Sequence, residues 1–366
     1  LRFCHIEKKQ IGRLKLNTIS VKNERPRVLE KFKSFITEQK DEPYRILILS
    51  HDEEDDPNIT GEKLVEKAKS KGLEYYMMEM DGGYISIDDK DQKIAHNWDK
   101  ENEKYDEKGF SLNPENTLVF VRGAITKRHP WLDTVTQLER DGFCCINSRH
   151  CHELCNDKYH TSLSLADVGL RQPKAVLISH ADGAIRSAKL LNENYPLILK
   201  TVTGTHGVGV IFIESEKSLT ATVQLLYKLD KNIGLMLQEY IKTSFDVRVH
   251  VLDRRVVATL KRPVVEGDFR SNVSQGSKAS FIKLTDIEKE DCIKAAEIVD
   301  GLWVGVDFIP ARNREKEQPF IIEVNSSPGS GQIDDVNDID LIAIILEYYK
   351  DRTKWLKPKP FRSIYT

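Results

Sequence analysis

In LKTVTGTHGVGV (199–210) a lysine, Lys200, stands ahead of three glycines, Gly204, Gly207 and Gly209. Glycines beside a lysine suit phosphate, but the order excludes two familiar constructions. A P-loop needs Lys-Ser/Thr after its second glycine, at the start of a helix. Here Val210 and Ile211 follow Gly209 instead. A dinucleotide turn wants its glycines between a strand and a helix. These lie between two apolar runs that both predict strands. What remains is a glycine-rich turn between antiparallel strands, a flap whose backbone N–H groups can close over phosphates while Lys200 supplies a fixed cation. A plain hairpin with an exposed lysine is the bland alternative.

Two later runs supply acidic oxygens. VGVDFI (304–309) and FIIEVN (320–325) both predict buried strands, where a carboxylate is expensive unless a cation neutralises it. A period of two puts Glu323 and Asn325 on one face and Val324 on the other. With Asp307 on a neighbouring strand they make an oxygen-only set suited to Mg²⁺ or Mn²⁺. Arginine partners for these carboxylates are the alternative. Between the two groups lies GDFRSNVSQGSKAS (267–280), whose Arg270 and Asn272 are donors suited to the charge on a transferring phosphoryl group.

Other clusters carry less. Cys144, Cys145, Cys151 and Cys155 crowd together beside His150 and His152, but their spacing fits no paired zinc pattern, so reduced thiols are expected. The acidic run 52–56 is expected to be a solvated loop. Arg122, at the end of the apolar run NTLVFVRG, is a candidate for contacting a substrate anion.

The elements that must hold these residues alternate. Apolar runs at YRILILS, LEYYMMEM, NTLVFVRG and FCCINS are separated by helical patterns, so 44–150 predicts a small α/β domain with a mainly parallel sheet. A helix through Lys158 is expected next, followed by more strands and helices. FDVRVHVLDRRVVATLKR alternates on both sides of a Leu-Asp-Arg turn and predicts a long antiparallel hairpin. The 366 residues allow two or three domains. A formal net charge of -2 offers no global attraction to nucleic acid or anionic membrane. No apolar stretch nears the roughly 20 residues that span a bilayer, and the first residues lack the apolar core of a secretory signal. A cytoplasmic protein is expected.

The order of these pieces resembles the ATP-grasp superfamily, and within it the RimK-like glutamate ligases. Lys158 comes first, then Lys200 before the flap, LQEYIK with Asp246 downstream, EGDFRSN, VGVD and EVNSSPG. The resemblance covers roughly 155 to 350, and EGDFRSN with EVNSSPG carries most of its specificity. It implies an α/β (α+β) ATP-grasp fold preceded by an α/β pre-ATP-grasp domain. The expected division is an extension over 1–43, the pre-ATP-grasp domain over 44–150, a central subdomain with the flap over 151–235, a metal and nucleotide subdomain over 236–352 and a tail over 353–366.

The resemblance also implies residue roles. ATP would lie between two lobes, with Lys158, Lys200 and the flap glycines on its phosphates. Glu239, Tyr240, Ile241 and Lys242 would form the adenine hinge, and Asp246 would meet the ribose. Arg270, Ser271 and Asn272 would reach the phosphates or an acyl phosphate. Asp307, Glu323 and Asn325 would hold two Mg²⁺ or Mn²⁺ ions. The implied reaction joins an amino acid, glutamate or another, to a carboxylate-bearing acceptor that is a peptide, a protein C-terminus or a small acid. A hydroxyl phosphotransferase and a non-catalytic ATP-binding scaffold are the other readings, and self-association into a homo-oligomer is left open. The chain departs from the family where VSQGSKAS replaces a His-Arg-Gly-Gly stretch, and where SGQIDD follows EVNSSPG.

Overall fold

A computed structural model describes residues 44–51, 59–88, 92–99, 102–123, 125–191, 195–203, 209–264 and 278–355. The N-terminal extension, the acidic run 52–56, Gly204, Gly207, Arg270, Ser271 and Asn272 lie outside the described residues, as does the tail beyond 355. By internal contacts the chain divides into Leu1–Lys40 and Asp41–Thr366, and everything below concerns the second unit.

The unit opens with the buried strand β1 (Arg45–Ser50) and the half-buried strand β2 (Tyr75–Glu79), joined through helix α1 (Ile59–Ser70). A small antiparallel excursion follows: β3 (Tyr84–Ile87), β4 (Lys93–His96), β5 (Trp98–Asp99), β6 (Lys104–Tyr105) and β7 (Phe110–Leu112). The chain then returns through β8 (Thr117–Val121), helix α2 (His129–Arg140) and β9 (Cys144–Ile146). Strands β2-β1-β8-β9 form the expected parallel sheet. Every residue of β8 and β9 is buried, in keeping with a parallel sheet covered on both faces.

Two short helices come next, α3 (Arg149–Asn156) and α4 (Lys158–Asp167). This corrects the single helix expected through Lys158. Asp157 ends the first helix and caps the second, its side chain accepting from His160 N–H at 2.8 Å, so Lys158 opens a new helix. The Lys158 N–H donates to Val202 O at 2.9 Å, which ties this helix start to the strand bearing Lys200.

A second sheet contains β10 (Ala175–Ile178), β11 (Leu197–Thr201), β12 (Val210–Ile213) and β13 (Leu235–Glu239) in the order β10-β13-β11-β12, all antiparallel. Its helices are α5 (Ala184–Leu190) and α6 (Glu216–Leu229). Strand β13 thus belongs to this sheet, a few residues beyond the expected division at 235/236. Leu197, Leu199, Leu235 and Leu237 face the helices in one apolar cluster. The alternate residues, Lys200, Met236 and Gln238, take the opposite face.

The third sheet holds β14 (Phe245–Leu252), β15 (Arg255–Pro263), β16 (Trp303–Ile309) and β17 (Phe320–Asn325) in the order β15-β14-β16-β17. Asp253 and Arg254, both at positive φ, make the hairpin turn between β14 and β15. One face of this sheet is apolar: Val247, Val249, Val251, Val304, Val306 and Val324 pack with helix α7 (Asp286–Ile298), α3 and α4. The other face is polar, and its register sets three rows. Arg262 lies opposite Asp246; Leu260, Arg248, Asp307 and Glu323 line up across four strands; so do Ala258, His250, Gly305 and Asn325. A bulge makes Ile322 an extra residue, because Asp307 faces Glu323 while Phe308 faces Ile321. Without it, strict alternation would carry Ile321 onto the polar face. Helices α8 (Ile333–Asn337) and α9 (Leu341–Tyr348) close the described chain. Among the described residues no helix is long and apolar enough to cross a membrane.

Gly305 is where the chain after β17 folds back over the polar face. A Cβ there would stand 2.9 Å from Cβ of Pro328 and 3.7 Å from Cβ of Asn325. A proline ring cannot swing aside as a flexible side chain can. Gly305→Ala is therefore expected to destabilise the fold by about 1–3 kcal/mol through overpacking. Urea denaturation of the purified variant measures it, and a midpoint equal to the parent's would count against this packing.

Candidate active site

Asp307 and Glu323 are direct cross-strand neighbours, which places their Cβ atoms about 4.5–5.5 Å apart on one face. Two carboxylates this close need cations. Arg248 grips Asp307 with two bonds, Nε to Oδ1 at 2.8 Å and Nη2 to Oδ2 at 2.7 Å. Arg262 bridges Asp307 and Asp246: its Nη2 lies 2.9 Å from Asp307 Oδ2, while Nε and Nη2 bond both oxygens of Asp246 at 2.7 and 2.9 Å. Burial alone would raise the Asp307 carboxyl, but the two guanidiniums overcome this and hold it well below the usual carboxylate range. Burial would likewise weaken the Arg262 charge, and Asp307 and Asp246 reverse that.

These arginines were not assigned chemistry from the sequence. A signal was present, because FDVRVHVL sets Asp246, Arg248 and His250 at alternate positions facing one way, with valines facing the other.

Glu323 differs from its neighbour. Among the described residues no cation forms an ion pair with its carboxylate, although it lies close enough to Lys200 to stabilise that ammonium. Lys200 is only 8% exposed. Burial pushes it down to about 8 from its ordinary 10.5; Glu323 opposes the shift and the Lys158 charge adds to it. Lys158, Gln238, Met236 and Glu323 line one small pocket, with Cys155 and Thr161 of the short helices on its wall. Lys158 and Lys200 therefore meet the acidic strand at a single place, with side chains contributed by both antiparallel sheets.

Asn325 follows Glu323 on the same face, and its buried Nδ2 has no partner among the described residues. Glu323 thus has a carboxylate to spare, whereas both oxygens of Asp307 are already occupied by arginine. Among the described residues no three His, Cys, Asp or Glu side chains gather as a metal cluster. The Glu323 carboxylate and the Asn325 amide oxygen are of the kind a hard cation takes, with its remaining oxygens coming from a ligand.

The expected hinge residues begin with the last residue of β13. Glu239 is paired with Lys174 twice: its N–H donates to Lys174 O at 2.9 Å, and its Oε1 accepts from Lys174 N at 2.8 Å. The Tyr240 ring stands edge-on to Phe212 at 5.2 Å. Ile241 and Lys242 continue into the loop before β14. Gly209 accepts from Thr201 N–H at 3.0 Å and has φ 88, a conformation that favours glycine. Its added Cβ would also lie 2.6 Å from Thr201 Oγ1. So Gly209 meets β11 at Thr201, one residue past Lys200.

Arg122 does not line this pocket. It is 1% exposed, stacks on Trp303 at 4.3 Å and donates from Nη2 to Pro328 O at 2.6 Å. Of the buried cysteines, Cys145 lies in the core of the first sheet and Cys151 under the third, while Cys155, also packed under the third, reaches the pocket wall.

The pattern of the RimK-like ATP-grasp domain matches residues 155–349, more than half of the chain. The chain belongs to the RimK-like ATP-grasp family. This makes it an ATP-dependent carboxylate–amine ligase, as the resemblance implied. The ligase is 33% identical over 225 residues to a Coxiella burnetii protein named "Probable alpha-L-glutamate ligase", covering 61% of this chain and 72% of that one. A Saccharophagus degradans protein of the same name is 31% identical over 225 residues, covering 60% and 71%. Among solved structures, the ATP-grasp ligase PsnB complexed with a minimal precursor superposes with a TM-score of 0.59 at 18% identity, over 84% of this chain and all of that one. The D-alanine–D-alanine ligase of Bacillus anthracis complexed with ATP gives 0.60 at 13% identity, over 85% and 98%. These two likenesses establish the fold.

Lys200 yields a prediction with a definite sign. Its folded value of about 8 lies below the ordinary 10.5, so between those pH values the unfolded ligase binds the extra proton. Stability therefore rises with pH across that window, and below pH 8 the buried ammonium costs about 3 kcal/mol. Lys200→Met is expected to melt higher than the parent at pH 7 and to lose this rise, while binding nucleotide far more weakly. Thermal denaturation at pH 7 and pH 10, with and without ADP, measures both effects.

Proposed function

We propose that this ligase joins an amino acid, glutamate being the foremost candidate, to the carboxylate of a peptide, a protein C-terminus or a small acid. The single observation that carries the reading is the side-by-side pair Asp307 and Glu323 beside the buried Lys200 and Lys158. In the proposed reaction the acceptor carboxylate oxygen attacks the γ-phosphorus of ATP and the bond to the β-phosphate oxygen breaks, giving an acyl phosphate and ADP. The amine nitrogen then attacks the acyl carbon, loses a proton and expels inorganic phosphate, leaving an amide.

The repulsion between a carboxylate and a triphosphate is the main obstacle, and this site is rich in groups that offset it. Lys158 and Lys200 would hold the phosphates, with Gly204, Gly207 and Gly209 covering them so that water cannot reach the acyl phosphate. Glu239, Tyr240, Ile241 and Lys242 would flank the adenine and Asp246 the ribose. Arg270, Ser271 and Asn272 would face the transferring phosphoryl group. Glu323 and Asn325, with Asp307 sharing its arginine-held carboxylate, would hold two Mg²⁺ or Mn²⁺ ions. Such ions, when bound, neutralise charge on the phosphate oxygens.

Glutamate is favoured by the names of the Coxiella and Saccharophagus relatives. A peptide acceptor is favoured by PsnB, whose structures include complexes with its precursor peptide and with Mg and ADP. Glu323→Ala is expected to lower ADP formation by about two to three orders of magnitude while the fold persists. Turnover near the parent level would end the metal-site assignment. Mass spectrometry of products from an amino-acid panel, with ATP and candidate acceptors, tests the substrates. An amide product with release of phosphate is expected; ADP formed without need of an amine and without free phosphate would identify a hydroxyl phosphotransferase instead.

A further inference from the structure

We infer that Arg122 is a positioning residue for the acidic strand: it holds the turn 326–328, immediately after Asn325, so that Glu323 and Asn325 keep their places on the polar face. The inference rests on the metal-site reading proposed above. The three residues after β17 are each fixed by a different group at the carboxyl ends of the parallel strands. Asn147, just past β9, donates from Nδ2 to Ser326 O at 2.6 Å. The Gly123 N–H donates to Ser327 Oγ at 3.0 Å. Arg122, just past β8, donates from Nη2 to Pro328 O at 2.6 Å. Asn147 also binds the start of β16: it donates to Trp303 O at 2.6 Å and accepts from the N–H groups of Leu302 and Trp303 at 2.7 and 3.0 Å. One end of each acid-bearing strand is thereby pinned to the same two residues' neighbourhood, with Trp303 forming the surface on which the guanidinium lies.

Stability alone does not account for an arginine here. Its Nε and Nη1 are buried without an acceptor among the described residues, and an unpaired buried donor costs free energy that an apolar residue stacked on Trp303 would not incur. Two buried nitrogens without a partner among the described residues, Nε2 of His152 and Nε2 of His250, belong to side chains within electrostatic reach of Arg122. These side chains are linked through Ser326 and Trp303, since His152 Nδ1 lies 2.9 Å from Ser326 Oγ and the Trp303 indole N–H donates to His250 Nδ1 at 3.3 Å. Among the described residues the carbonyl of Pro328 is the acceptor that Arg122 meets. Losing that bond removes one of the three anchors and loosens the turn at Pro328, two residues of backbone from Asn325 and so from Glu323.

The test is Mn²⁺ binding to the full chain in the presence of ADP, followed by electron paramagnetic resonance, alongside the melting temperature. Arg122→Met keeps the stem on Trp303 and removes the bond. It is expected to melt no lower than the parent yet bind Mn²⁺ about 10–100-fold more weakly, the usual range for losing a group that supports a metal ligand. Arg122→Lys, which retains a charged donor, is expected to recover at least about tenfold of that loss. A folded Met variant that binds Mn²⁺ as the parent does overturns the inference alone. A parent that binds no Mn²⁺ with ADP overturns both it and the metal-site reading. Should the Met variant not fold, Ser327→Ala decides: removing this half-buried hydroxyl is expected to weaken Mn²⁺ binding several-fold, and unchanged binding overturns the inference.

Discussion

Two carboxylates held side by side on a buried sheet face are the constraint around which this protein is arranged. At about 5 Å, with the effective dielectric of a protein interior, Asp307 and Glu323 would repel each other by about 3 kcal/mol, and each also loses hydration. Arg248 and Arg262 answer for Asp307, forming a chain of charge that extends to Asp246. Glu323 has no arginine of its own among the described residues and relies on the longer-range attraction of Lys200. The pair is therefore unequal: one carboxylate is locked and the other retains capacity. That inequality suits a site in which part of the acidic set is structural support and part meets a cationic or metal-bound ligand.

The two antiparallel sheets solve the same problem in the same way. Each gives its leucines or valines to a helix-covered core and its alternate residues to the pocket. In the second sheet that assigns Lys200, Met236 and Gln238 to the pocket side, and in the third Glu323 and Asn325. Apolar burial thus fixes where the charges point, since turning a strand over would expose its core face and bury its charges in the helices. The short helix beginning at Lys158 adds a third wall, tied by its first N–H to the end of β11.

The parallel sheet plays a different part. The carboxyl ends of such strands commonly receive a ligand, but here they receive the chain's own turn after β17. Thr60 extends the contact, accepting from Ser330 N–H at 3.1 Å, and Lys63 donates to Ser330 O at 3.1 Å. Arg122 was expected at an anion site because of its position after an apolar run. Its position is as expected, but the group it meets is a backbone carbonyl.

Much of this was determined by the sequence itself. Alternation in FDVRVHVL and EVN separates polar from apolar faces without any partner strand, because side-chain direction in a strand is a local property. Lysine before glycine excluded a P-loop on chain order alone, and EGDFRSN with EVNSSPG pointed to the family. Tertiary structure decided the rest, because it depends on pairing. FIIEVN has three apolar residues before its glutamate, and only the ladder to β16 shows that Ile322 is the extra one. Which arginine meets Asp307, and that Arg248 and Arg262 share it, follows from register between strands about sixty residues apart. The break between two helices at Asp157 was hidden because both patterns were helical, and only the cap on His160 reveals that Lys158 begins the second. Local chemistry named the groups; the long-range ladder, which no single segment encodes, settled which of them meet.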